Sequence, residues 1–128
     1  MADEAHVETP AMRRARRRID VIDRRIVVLL NERSRLGLAV GAAKAADGRP
    51  VRDTHREREV LLRVAAANEG PLPQADLLAV YRRLMVATRR LEIGARRRQR
   101  EARQRERQGE ARQRERQGQR QARRPSPG

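Results

Sequence analysis

The stretch that decides the fold is residues 12–46, "MRRARRRIDVIDRRIVVLLNERSRLGLAVGAAKAA". Ile19, Ile22, Ile26, Leu29, Leu30, Leu36 and Val40 recur at spacings of three, four and seven, the period of an amphipathic helix. Glycine first enters at Gly37 and Gly41, and Asp47-Gly48 ends the pattern, with Gly48 placed as the residue just past the helix end. Such a helix is about 50 Å long at about 1.5 Å per residue, whereas a compact domain of this core size has a radius of gyration near 12–13 Å. Short helices cannot cover so long an apolar stripe, so the pattern calls for a partner, most simply a second copy lying antiparallel.

Two further helices follow. One spans about Thr54 to Asn68, where "THRE" fits a capping box with Thr54 as N-cap and Glu57 as its third residue. Its apolar face is Val60, Leu61 and Val64. The other spans about Gln74 to Ile93, with a stripe of Leu77, Leu78, Tyr81, Leu84, Met85, Thr88 and Leu91, and Gly94 as its stop. The expected fold is therefore all-α: one long and two shorter helices per protomer, intertwined as an antiparallel homodimer. Residues 1–11 read as a disordered leader, 12–94 as the helical domain and 95–128 as a basic tail.

In the tail, "EARQRERQG" occupies 101–109 and recurs at 110–118. Without an apolar stripe it cannot bury a core, and it is expected to be disordered or partly helical. Residues 95–128 hold thirteen Arg and four Glu, a net +9 out of the chain's +15. That charge admits an acidic partner or nucleic acid, but the stacking aromatics of single-strand binders are missing.

Composition closes several routes. Tyr81 is the only aromatic residue and cysteine is absent, so the core is aliphatic and thiolate metal sites are excluded. His6 and His55 are too few for a histidine-based zinc site. No P-loop, dinucleotide fingerprint or nucleophile elbow is present. The acidic start lacks the apolar segment of a secretory signal, and the longest apolar run, Ile26–Leu30, is far short of a membrane span. The expected location is the cytoplasm.

The informative residues are charges on the apolar stripe. Arg33 follows Ile26, Leu29 and Leu30 at +7, +4 and +3, and Lys44, the only lysine, lies eleven residues on, within about 20° of the same face. On the third helix, Thr88 and Glu92 share or adjoin the buried face. An unpaired buried cation is very costly, which leaves two readings. Either these groups form buried ion pairs, Arg33 with Glu92 and Lys44 with Glu57 or Asp53, or they line a cavity for a small polyanion. Arg16 lies about 25 Å up the helix from Arg33. It cannot reach the Arg33/Lys44 site of its own chain, but in an antiparallel dimer it reaches the partner's.

These residues form a pattern: R-x-x-I-D-x-I-D-x-x-I-x-x-L-L-x-x-R from Arg16 to Arg33, then G-x-x-K from Gly41 to Lys44, then R-P-V-R-D-x-x-R-E from Arg49 to Glu57. It resembles the all-helical AroQ class of chorismate mutases over roughly residues 12–93; the tail has no counterpart. The resemblance implies an intertwined dimer with two sites, each converting chorismate to prephenate by a [3,3] rearrangement without a cofactor. It implies that Arg33 and the other subunit's Arg16 hold the two substrate carboxylates, and that Lys44 contacts the ether oxygen and a carboxylate. Asp53 and Glu57 address the ring 4-substituent, and Arg56 supports the carboxylate region. Thr88 stands where the family has a small hydroxyl residue, and Glu92 where many members have Gln. Arg52 either gates the site or meets water.

The chemistry suits the residues. A unimolecular pericyclic step needs a dianion held in its reactive conformer, a task for guanidinium forks. It also needs a donor at the oxygen that gains charge as the C–O bond breaks. Glu92 matters here: an ionised carboxylate repels that charge and a protonated one donates to it, so activity is expected to need protonated Glu92 and to fall as pH rises. The alternatives are a mutase acting on 4-amino-4-deoxychorismate in antibiotic biosynthesis and, of another class, a helical nucleic-acid-binding protein acting through its tail.

Overall fold

A computed structural model describes residues 7–127. It contains three helices: α1 Pro10–Ala46, α2 Thr54–Ala67 and α3 Gln74–Ala122. Among the described residues there is no strand. Of the expected leader, residues 1–6 lie outside the described residues, residues 7–9 are irregular, and Pro10 and Ala11 already belong to α1. Pro10 suits a first helical position because its missing N–H has no helical partner there. The Thr9 hydroxyl accepts from the Met12 N–H at 3.2 Å, which caps the start.

The chain divides into two units, Met1–Val40 and Gly41–Gly128. Over residues 10–40 the first unit is a single helix. Its stripe residues Ile19, Ile22, Ile26, Leu29, Leu36 and Val40 are between 46 and 63% exposed. A monomer with that stripe in water is unusual, and such patches mark interfaces.

The second unit begins with the last turn of α1. Its end is built as the sequence suggests. Gly48 takes φ +71°, its N–H bonds the Ala45 carbonyl at 3.1 Å, and the Arg49 N–H bonds the Lys44 carbonyl at 2.8 Å. This is a Schellman motif, which needs a left-handed residue where glycine carries no penalty.

At the start of α2 the cap differs from the capping-box reading. Asp53, not Thr54, is the N-cap, with extended φ/ψ and its carboxylate accepting from the Arg56 N–H at 2.9 Å. Both residues are good caps. The backbone turns into helix one residue earlier than the box pattern requires, so Glu57 is left out of the capping. At the other end Asn68 closes α2, and its side chain accepts from the Gly70 N–H at 3.0 Å.

α2 packs on α3. Among the described residues the core is minimal: Val60 and Met85 are the buried hydrophobic residues, no side chain is fully buried, and Gly41, Thr88 and Glu92 complete the buried set.

α3 does not stop at Gly94. It runs 49 residues, through Gly94, Gly109 and Gly118, to Ala122. Each interior glycine costs about 1 kcal/mol relative to alanine. Between them stand Arg, Gln, Glu and Ala, all strong helix formers. Propensity summed over the segment thus opposes three isolated glycines. Among the described residues no helix is long and apolar enough to cross a membrane.

Candidate active site

The site residues of the second unit gather where α1 ends against α3. Glu92 is buried although it is a carboxylate. It can approach α1 because Gly41 has no side chain: a Cβ there would stand 2.9 Å from both Cγ and Cδ of Glu92. Lys44, one turn further along α1, points its ammonium at the same carboxylate, with Nζ to Oε2 at 3.4 Å. The same Nζ donates to the Val51 carbonyl at 2.8 Å. The loop following α1 thereby holds the ammonium in place. Thr88, one turn before Glu92 on α3, is also buried, and its hydroxyl donates to the Leu84 carbonyl at 3.0 Å.

This pairing differs from the buried ion pairs considered from the sequence. Lys44 pairs with Glu92 rather than with Glu57 or Asp53. Glu57 pairs instead with Arg89, whose Nη1 donates to Oε1. Glu92 Oε2 makes no hydrogen bond in the structure despite its burial. Its partner is the Lys44 ammonium, close enough for an ion pair but not for a well-formed hydrogen bond, so the oxygen keeps room for a further donor.

The remaining expected residues fall into three groups. Glu57 and Arg52, together with Arg89, line a cleft of about 440 Å³ between α2 and α3, floored by Leu61, Met85 and Val86. Arg52 Nε stands 3.9 Å from Glu57 Oε2, at the exposed edge. Asp53 is engaged in capping α2, and Arg56 lies exposed, donating to Glu59 at 2.8 Å. Arg16 and Arg33 belong to the N-terminal unit. Arg16 is largely exposed and paired with Glu8, and Arg33 is half-buried.

Arg89 was missed in the sequence. It follows Thr88 by one residue and so lies about 100° off the buried stripe. The available signal was Glu57, a carboxylate that required a counter-charge. Among the described residues no group of three or more His, Asp or Glu is arranged to hold a metal ion.

Residues 15–93 match the family described as chorismate mutase type II, well over half of the chain. The chain belongs to that family. Curated relatives include the bifunctional chorismate mutase/prephenate dehydratase of Aquifex aeolicus, 34% identical over 85 residues, which are 63% of this chain and 24% of that protein. The protein of the same name from Neisseria gonorrhoeae is 39% identical over 70 residues, 55% of this chain and 19% of that one. The chain thus spans about a quarter or less of the length of these relatives. Among solved structures, chorismate mutase (form II) from Thermus thermophilus superposes with a TM-score of 0.62 at 32% identity, covering 64% of this chain and 93% of that one. Form I of that enzyme gives 0.59 at 31% identity, covering 61% of this chain and 98% of that one. The family match ends at Ile93, so the buried cluster lies inside it and the rest of α3 beyond it.

Proposed function

We propose that the protein is a chorismate mutase that rearranges chorismate to prephenate as a homodimer. The observation that carries this is the buried Lys44–Glu92 pair beside Thr88, seated on Gly41 within a chain of the chorismate mutase type II family. Among the described residues few side chains are buried, and two of them, Thr88 and Glu92, are polar. An ammonium and a buried carboxylate set beside a hydroxyl form the kind of polar cluster that marks a functional site.

In the proposed mechanism the substrate binds as a dianion. Arg33 and the other subunit's Arg16 clamp its two carboxylates. The ether C–O bond breaks as the new C–C bond forms, within one molecule and with no proton or electron exchanged with the protein. Lys44 Nζ, held by the Val51 carbonyl, donates to the ether oxygen as negative charge develops there. Glu92, paired with Lys44, supplies the second polar group beside the same oxygen. The dimer is supported by the exposed stripe of α1, which a second copy would cover while bringing Arg16 to the site.

The arrangement at Glu57 favours chorismate over its 4-amino analogue. Glu57 is already neutralised by Arg89, with Arg52 at its edge. A hydroxyl tolerates that surrounding, while an ammonium would meet two guanidinium groups. The test is turnover of both substrates side by side by the purified protein, with products identified by mass. Prephenate formed faster than its amino analogue is the expected result; depletion of neither substrate rules the assignment out.

A further inference from the structure

Beyond the family's span, α3 presents Arg96, Arg100 and Arg103 at i, i+4 and i+7, on one face of the helix. They face the last turn of α1 across a cavity of about 370 Å³ whose other wall is Ala42, Ala45 and Ala46. Arg96 is the unusual member. Its Nε and Nη2 are both buried and make no hydrogen bond. A guanidinium is a fixed cation with no acceptor of its own, so Arg96 is a half-buried cation with two buried donors open.

The backbone partners at the end of α1 are engaged elsewhere, and Glu92, one turn before Arg96, is directed at Lys44. A helix C-terminus is a natural neighbour for a cation, but the carbonyls of Ala43, Lys44 and Ala45 already accept from Asp47, Arg49 and Gly48 respectively. No carboxylate lines the cavity among the described residues. The alanine wall adds no polar group and leaves room that longer side chains would fill.

We infer that this cavity is a binding site for a compact polyanion, an oxyanion-bearing molecule with at least two negative charges, whose short hydrocarbon body rests on Ala42, Ala45 and Ala46. Guanidinium forks at i, i+4 and i+7 suit bidentate contacts to phosphate or carboxylate oxygens. The site is separate from the catalytic cluster but abuts it, since Arg96 follows Glu92 by one turn of α3 and Ala45 adjoins Lys44 in α1.

The test is calorimetric titration of the full-length protein with inorganic phosphate and, separately, with citrate, in a buffer free of other polyanions. Wild type and the variants Arg96→Gln, Arg100→Gln and Arg114→Gln are compared, the last removing the same charge from the distal tail. Saturable binding by the wild type, weakened about tenfold or more by Arg96→Gln and Arg100→Gln and less than twofold by Arg114→Gln, is the expected result. Should Arg96→Gln fail to fold by circular dichroism, Arg103→Gln takes its place with the same expectation. Tighter binding of citrate than of phosphate, or the reverse, upholds the site and assigns its headgroup. Absence of saturable binding by the wild type overturns the inference, as does equal weakening by Arg96→Gln and Arg114→Gln. Neither readout depends on turnover, so the outcome is independent of the mutase assignment.

Discussion

The two halves of α3 are one helix formed for different reasons. Residues 74–93 carry an apolar stripe that packs on α2, and they hold Met85, Thr88 and Glu92, three of the few buried side chains. Residues 95–122 bury little beyond the first turn and consist of Arg, Gln, Glu, Ala and Gly. The first half is helical because packing rewards it; the second is helical because its residues prefer the helix and little opposes them. The contrast also separates function. In the first half one charge, Glu92, is buried and another, Arg89, half-buried, and both are paired, whereas those in the second half are many and mostly solvated.

That contrast predicts steeply unequal effects of mutation. The largest is expected at Lys44: replacing it with Ala should lower kcat/KM about 10²- to 10³-fold, the range for removing a donor at a developing oxyanion, with the helical content retained by circular dichroism. A smaller loss would show that the buried pair serves packing rather than chemistry. Gly41→Val comes next. Its side chain would collide with Glu92, 2.9 Å from the glycine's Cβ position, and a strained insertion of this kind costs about 1–3 kcal/mol. Both a lower melting temperature and a clear loss of turnover are expected, since the displaced group is in the site.

Glu92→Gln tests how the carboxyl works. An amide of the same shape keeps a donor within reach of the ether oxygen, so Glu92→Gln should keep kcat within about tenfold of wild type, while Glu92→Leu, with no polar group, should lower it by up to about 10²-fold. Equal kcat in the two variants would show that no polar group is needed at this position.

A more modest effect is expected from Arg89→Leu. Freeing Glu57 from an ion pair that is partly exposed, worth about 1 kcal/mol or less, should shift the preference toward the 4-amino substrate by up to about fivefold. Competition between the two substrates measures it, and no shift would mean that Glu57 does not face the ring substituent. The smallest change should follow truncation after Gly94: mutase turnover within about twofold of wild type, and loss of any nucleic-acid binding the full chain shows. A truncated protein without turnover would join the two halves of α3 functionally and remove the contrast.

The sequence made the main elements legible because they rest on local rules. The spacing from Ile19 to Val40 gives α1, and Gly48 ends it in the expected left-handed turn. Lys44, Thr88 and Glu92 stood out as polar groups on an apolar face, and the structure gathers those three. Local rules failed where two answers were locally equivalent. Thr54 and Asp53 cap equally well, and only the backbone path selects Asp53. Gly94 reads as a stop, yet the good helix formers on either side of it carry the helix through.

By itself, then, the sequence determined that the chain is helical, where α1 and α2 lie, and that Thr88 and Glu92 sit on a buried face. These follow from periodicity and composition, which a chain carries without folding. The tertiary structure alone decided who pairs with whom. Lys44 meets Glu92 because Gly41 lets the carboxylate approach α1, and Glu57 takes Arg89 because it stands free of the α2 cap. Such choices depend on distances between segments far apart in the chain, and a charge pattern along one helix contains no information about them.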